Sequence, residues 1–421
     1  MAKQSSFFPM MIIGILFFIF GFVTWLNGSL IPFLKVICEL SEFQALFVTF
    51  AFYIAYTVMA LPMAYVLERT GYKNGMALGL GVMVLGSLLF IPAALNAEFI
   101  LFLIALFTLG TGLTILQTAS NPYVVHIGPL ESAAMRISIM GLINKTAGVL
   151  VPLIFTALIL SDMPTLSSES LSQVQIDELA SRLITPYILM AIVLSGLIVL
   201  VKFSAIPEIE FSEENDKDDS ILNHPRLILG AIALFFYVGI EVIAGDTIGL
   251  YAQTLDVENV TTLTSYTMVF MVLGYLIGVA FIPRFLSQEK ALLFSAILGI
   301  LFLLGVAFSS TSTHTIAEIL WGWSGITTLP DSITFVALLG FANALVWPTI
   351  WPLALEGLGK LTAKGSALLI MAIAGGAILP LVFGKVSEIL GSMQEAYLIG
   401  LVCYLFIFMY ALKWHKKSSW S

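Results

Sequence analysis

Charge is what this sequence has least of. Lys and Arg number 18 and Asp and Glu 26 in 421 residues, only 10% of the chain. An ordinary soluble domain carries about 25%, so a water-facing surface over the whole molecule is excluded. Cysteine is nearly absent too. Cys38 and Cys403 lie far apart, which argues against a disulfide framework and against a thiolate metal site. The four histidines, at 126, 224, 314 and 415, are scattered. No basic run exists and the formal charge is −8, so nucleic acid is not an expected partner. No nucleophile–base pair or metal cluster falls in the apolar stretches, so no enzyme chemistry is expected. The tails given are short and offer no signalling domain, so a non-transporting membrane receptor is not the expected function.

What is there is hydrophobic length. Hydrophobic residues make up 59% of the chain and mean hydropathy is +1.02. A spanning helix needs roughly 20 apolar residues. Twelve stretches qualify, over 8–34, 44–67, 75–95, 98–125, 136–160, 184–206, 227–252, 263–286, 290–310, 332–355, 364–388 and 394–413. Their length and continuity predict helices rather than barrel strands. The first span is too long for the apolar core of a signal peptide and has no cleavage-like end. With both termini inside, fourteen of the eighteen Lys and Arg fall on the cytoplasmic side; Lys35, Arg182 and Lys385 fall outside, and Lys145 stays within a span. That asymmetry sets the expected orientation, in an inner (plasma) membrane of bacterial type.

Polar groups inside the spans then stand out. In GTGLTILQTASNPYVV, Thr114, Gln117 and Asn121 recur at i, i+3 and i+7, so they share a helical face. Asn121-Pro122 is expected to end or kink that helix. Asn144 and Lys145 lie in the fifth span and Asn27 in the first. Asn27-Gly28 is a weak helical spot, and Asn27 either packs at a helix crossing or meets a ligand. Glu241 and Asp246 lie in the seventh span, five residues apart, so about 140° separates them. Carboxylates at this depth usually mark a pathway. They are read as cation-coupling groups together with Lys145. The alternative is a structural ion pair with that lysine. Glu241, Asp246, the Thr247 hydroxyl and carbonyls freed near Gly245 are the candidate oxygen ligands of a sodium ion. No other metal or cofactor is expected.

The pattern repeats. Pro122 precedes Pro348 by 226 residues, and at that shift Gln117 meets Asn343 and Asn121 meets Trp347. Pro152 precedes Pro380 by 228, and there Arg136 meets Lys364, Ser138 meets Ser366 and Gly148 meets Gly376. Two homologous halves follow: an N-terminal six-helix bundle over 1–206, an acidic cytoplasmic linker over 207–225 and a C-terminal bundle over 226–421. The linker's charge density, with Phe211 its one Phe, Tyr or Trp, predicts flexibility. Residues 169–182 are expected to form a short amphipathic outer helix. Parallel halves facing each other across a midplane site are a transporter plan. Asn343, Trp347 and Trp351 repeat at i, i+4 and i+8, offering an amide and two ring faces unless they are core packing.

The loop AYVLERTGYKNG at 64–75, with Glu68, Arg69 and Lys73 around Gly71, is expected to gate the cytoplasmic side by ion pairing. It resembles, in degenerate form, the G-x-x-x-D-R-x-G-R-R loop of the major facilitator superfamily. Ala64 stands for the first glycine and Glu68 for the aspartate. QTASNPYVVHIGP at 117–129 and WPTIWPLALEGLG at 347–359 are similar to the fucose–galactose–glucose branch, whose fourth helix typically reads E-T-A-A-N-P and whose tenth ends P-T-I-F-x-L. FGFVTWLNGSLIPFLK in the first span looks most like the glucose/galactose transporters of that branch. The resemblance covers nearly the whole chain. It implies an all-α membrane protein of twelve helices in two pseudo-symmetric bundles that moves a hexose by alternating access. The polar pattern and the repeat make Asn27, Gln117, Asn121, Asn144, Asn343 and Trp347 the candidate substrate contacts, in an expected monomer embedded in the lipid bilayer. Two places depart from the fucose type: Gln117 replaces a glutamate and Gly28 an aspartate. Neither carries a proton at physiological pH. Sodium is therefore the expected co-transported ion, with proton coupling or none as alternatives.

Overall fold

The computed structural model describes residues 7–126, 133–160, 172–204, 220–282, 285–358 and 361–420. Most of the 207–225 linker, Arg284 and Lys360 lie outside these. The side chains of Asn121 and Glu68 also lie outside what is described. Among the described residues there is no strand, and twelve helices are long and apolar enough to cross a membrane. They are α1 (Phe8–Ile37), α2 (Phe47–Thr70), α3 (Tyr72–Asn96), α4 (Phe99–His126), α5 (Ala133–Ile159), α6 (Ile184–Phe203), α7 (Pro225–Gln253), α8 (Leu263–Phe281), α9 (Gln288–Phe308), α10 (Asp331–Leu355), α11 (Lys364–Leu390) and α12 (Met393–Leu412). The protein is an all-α integral membrane protein. "Outer" below means the face assigned as such by the lysine and arginine distribution.

The chain forms two six-helix halves, and its seams repeat with the sequence. α5 lies along α8, and α2 lies along α11. Gly148 of α5 faces Trp25 of α1 and Met268 of α8. Its repeat partner Gly376 of α11 faces Val242 of α7 and Tyr53 of α2. Each glycine thus fills the same role in its own half. A side chain at either place would strike two neighbouring helices, and small residues are what let helices approach this closely in lipid. The outer halves of α1 and α7 also pack together, with Gly249 against Pro32. Hydrogen bonds tie this side across the halves: Ser29 Oγ donates to Thr261 O at 2.6 Å, Ser265 Oγ donates to Val149 O at 2.7 Å, and the Thr156 and Thr261 hydroxyls meet at 2.7 Å.

Several helices are interrupted near mid-depth. α1 runs Phe7–Trp25 and then Asn27–Ile37, with Leu26 between. α7 runs Pro225–Asp246 and then Ile248–Gln253, breaking at Thr247. α10 runs Asp331–Asn343 and Val346–Leu355. That last break falls at the residues whose carbonyls Pro348 and the next residue would serve, as a missing proline N–H and a ring clash require. The repeat partner Pro122 behaves differently. α4 stays helical through Asn121-Pro122 to His126 instead of ending there. One carbonyl of its last turn is held from outside, because Arg136 Nε donates to Val124 O at 2.7 Å. Neighbouring helices can re-satisfy backbone that a proline disturbs.

On the outer side, Gln173–Ser181 forms the expected amphipathic helix, burying Ile176, Leu179 and Ala180 behind a Ser172–Gln175 capping box. Residues 169–171 of that expectation are not described.

Candidate functional site

α7 shares with α10 the greatest burial of the twelve spans. Residues 237–252 are all buried, so the helix is enclosed on every side. Glu241 meets Lys145 of the other half, with Nζ to Oε1 at 2.8 Å and both side chains 9% exposed. Tyr237 OH donates to the same oxygen at 2.6 Å. Lys145 Nζ also sits 4.2 Å from the centre of the Trp25 ring, a cation–π contact. Trp25 Nε1 donates to Asn144 Oδ1 at 3.3 Å, and Asn144 Nδ2 donates to Phe17 O at 3.4 Å. Tyr237 approaches Trp347 at 6.4 Å between centroids, and Trp347 stacks on Trp351 at 5.3 Å. One line of contacts therefore runs from Asn144 through Trp25, Lys145, Glu241 and Tyr237 to Trp347, crossing both halves at mid-depth.

Gln117 joins from the side. Its Nε2 donates to Tyr56 OH at 2.9 Å, and Tyr56 stacks on Tyr53 at 6.3 Å. Tyr53 in turn meets Gly376 beside Val242. Asn343 is buried on α10; its Oδ1 accepts from Tyr404 OH at 2.8 Å, and its Nδ2 has no partner among the described residues. Asn27 Nδ2 is likewise buried without a partner, at the break in α1. Gln117, Asn144 and Trp347 keep partial exposure, so an amide on each α4–α5 face and an indole remain reachable.

Asp246 contrasts with Glu241. It is 0% exposed, and neither carboxyl oxygen has a hydrogen-bond partner among the described residues. It lies immediately before the break at Thr247. The oxygen set expected for sodium does not assemble around it. Glu241 is taken by Lys145 and Tyr237. The Thr247 hydroxyl donates to Ile243 O at 2.6 Å and meets Tyr397 OH at 2.9 Å. The carbonyls near the break are taken by α8: Thr264 Oγ1 donates to Gly245 O at 2.8 Å and Thr267 Oγ1 to Ala244 O at 3.2 Å. The described residues contain no group of three or more His, Cys, Asp or Glu that could hold a metal ion. A hard cation needs several oxygens, and the hydroxyls and carbonyls nearest Asp246 each already make a hydrogen bond within the packing.

Gly28, where the fucose type has an aspartate, is explained by the same crossing. A Cβ there would fall on the Thr264 hydroxyl and meet Gly245 O at 3.1 Å. In this arrangement no side chain fits.

The loop residues sit elsewhere. Gly71 has φ 76°, a left-handed turn joining α2 to α3. Arg69 is exposed, stacked over Tyr65 at 4.2 Å, and Lys73 Nζ donates to Ser204 O at 2.7 Å, at the C-terminal end of α6. A lysine there complements the helix dipole. Arg69 thus lies on an aromatic face and Lys73 at a helix end; the Glu68 side chain, the third charge of the expected loop pairing, lies outside the described residues.

Reading the sequence missed Trp25, Tyr56, Tyr237 and Tyr404. Tyr237 had a signal, since it lies four residues before Glu241 on one face. The other three arrive from different helices with no local spacing to betray them.

The chain is similar to known transporters over nearly its whole length. A family model described as the Major Facilitator Superfamily matches residues 13–379. The glucose/galactose transporter of Brucella abortus is 33% identical over 98% of this chain and 95% of its own length. The L-fucose-proton symporter of Escherichia coli is 30% identical over 97% and 93%. Among solved structures, the transporter FucP in the outward conformation has a TM-score of 0.74 at 26% identity, covering 98% of this chain and 100% of that one. The inward-open xylose transporter XylE, at 14% identity and a TM-score of 0.69, shares the fold. Two repeated six-helix halves, a mid-depth polar line between them and this similarity together make the chain a member of the major facilitator superfamily.

Proposed function

We propose that this protein moves a hexose of the glucose/galactose type together with a proton, by alternating access between the halves 1–206 and 226–421 joined through 207–225. The observation that carries the reading is the mid-depth line of amides and ring faces across both halves, beside the unpartnered carboxyl of Asp246. Ring faces cover the apolar face of a sugar, and amides bind its hydroxyls. Asn27, Gln117, Asn144 and Asn343 are the sugar's hydrogen-bonding groups, with Trp347 as its stacking surface; Asn121 keeps its place from the repeat alone. Asp246 takes the proton. An unpartnered carboxylate is costly to bury, and a carboxyl holding its proton is far less so. The sodium expected from the sequence gives way to the proton, because the relatives that name an ion name the proton and the oxygens are engaged. The protein works in the inner membrane as a monomer, with both termini in the cytoplasm.

The test is uptake of labelled glucose, galactose and fucose into proteoliposomes under separately imposed proton and sodium gradients. An inward proton gradient should drive accumulation of glucose or galactose with no sodium present. Accumulation that follows sodium at symmetric pH would sink the proton reading. Equilibration under either gradient would mean an uncoupled carrier.

A further inference from the structure

Three groups charged in their ordinary ionised forms lie on or beside the mid-depth line, and the halves divide them unevenly. α5 supplies one cation, Lys145. α7 supplies two carboxyls, Glu241 and Asp246. Glu241 is bonded to the lysine at 2.8 Å, while Asp246, five residues on, has no hydrogen-bond partner among the described residues. Lys145 and Glu241 nonetheless lie within electrostatic reach of Asp246, as does Tyr53 of α2. Tyr275 of α8 and Tyr404 of α12 lie within electrostatic reach of Glu241. Phenols titrate near 10 and stay neutral at physiological pH. From α8, the backbone carbonyls beside Asp246 accept from the Thr264 and Thr267 hydroxyls, and Met268 packs against Gly245. The charge state of the cluster thus rests on the lysine and the two carboxyls.

We infer that Lys145, Glu241 and Asp246 form a charge-balancing unit that takes up one monovalent cation per transport cycle. This rests on the proton-coupled reading above and deepens it. With both carboxyls ionised, the unit holds one uncompensated negative charge in a water-poor site. Binding of one proton at Asp246 neutralises it and leaves Lys145 with Glu241. When that proton departs to the cytoplasmic side, the new carboxylate competes with Glu241 for the single ammonium. Glu241 therefore governs coupling without itself taking the proton. Its negative charge occupies Lys145, which is why Asp246 needs an external cation.

Charge counting makes this sharp. Glu241→Gln frees Lys145 to neutralise Asp246, so no cation is required. Asp246→Asn also needs none. The double variant Lys145→Gln/Glu241→Gln again leaves one lone carboxyl and needs one. Lys145→Gln alone leaves two and should stop exchange.

The experiment measures labelled-sugar accumulation and charge movement together in proteoliposomes, with parallel proton-gradient and sodium-gradient arms. The wild type should move one positive charge per sugar. Glu241→Gln and Asp246→Asn should both equilibrate sugar without accumulating it, and the double variant should regain accumulation at one charge per sugar. Glu241→Gln accumulating like wild type while Asp246→Asn does not would overturn the charge-balance rule and leave the proton carrier standing. Asp246→Asn accumulating like wild type would instead sink the proton-carrier reading itself. Charge moving with sugar only in the sodium arm would keep the balance rule and replace the proton. Detergent monodispersity and thermal unfolding check folding. If Glu241→Gln does not fold, the wild-type ratio and the double variant decide; a ratio of two or none, or a double variant that only equilibrates, overturns the proposal.

Discussion

Glu241 and Asp246 stand five residues apart on one buried helix, yet their surroundings are opposite. Glu241 has a lysine from the other half and a tyrosine from its own helix on one oxygen. Asp246 has neither, and the hydroxyls near it are turned to backbone carbonyls. The difference comes from direction. A five-residue separation turns the second side chain about 140° away from the first. Glu241 therefore faces α5 and the cross-half contact, while Asp246 opens beside the break between the two pieces of α7. The first carboxyl is bound into the contact between the halves; the second makes no hydrogen bond among the described residues. Burial alone separates neither, since both are nearly inaccessible.

Breaking the pair should give the largest effect. Lys145→Ala strands Glu241 as an unpaired buried charge, which costs about 3–5 kcal/mol. Thermal unfolding in detergent should drop well below wild type, whereas Asp246→Asn, which removes a carboxylate without stranding a partner, should unfold at or above it. Equal losses in the two variants would mean that Asp246 has a stabilising partner after all.

A smaller effect is expected where amides meet the sugar. Gln117→Ala and Asn343→Ala each remove a hydrogen-bonding group worth about 1–3 kcal/mol, so glucose or galactose binding by calorimetry should weaken about 5- to 150-fold. Unchanged binding in both would remove this repeat-related couple from the site. Tyr404→Phe releases Asn343 Oδ1 without touching the amide, so its loss of affinity should be less than that of Asn343→Ala.

The smallest effect on binding belongs to the cytoplasmic loop. Arg69→Ala and Lys73→Ala lie far from the mid-depth line. They should slow counterflow while sugar affinity changes by less than in Gln117→Ala. Weakened affinity with normal turnover would place these residues in recognition instead.

The repeat teaches a parallel lesson. Gly148 and Gly376 are equivalent in sequence and do the same packing. Arg136 and Lys364 are also equivalent, yet Arg136 is buried and holds α4's last turn while Lys364 is exposed. Pro122 and Pro348 differ in the same way, one inside a continuous helix and the other just after a break. A shared spacing transmits backbone crossings faithfully, because small residues there answer to geometry alone. It transmits polar partners less well, because those depend on what the neighbouring helix supplies.

The sequence by itself determined the twelve spans, their repeat in two halves and the polar residues within them, because length, hydropathy and spacing are local properties that lipid enforces. It also located the weak points at Asn27-Gly28 and Gly245-Asp246, next to which α1 and α7 break. Only the tertiary structure decided which polar residue meets which. It chose Glu241 over Asp246 for Lys145, assigned the carbonyls near Gly245 to α8 hydroxyls rather than to a cation, and closed the place of Gly28 to any side chain. Those choices join residues about a hundred positions or more apart in some cases, and only a few turns in others. They depend on the rotation of each helix about its own axis, which packing against neighbours sets and which no one-dimensional pattern encodes.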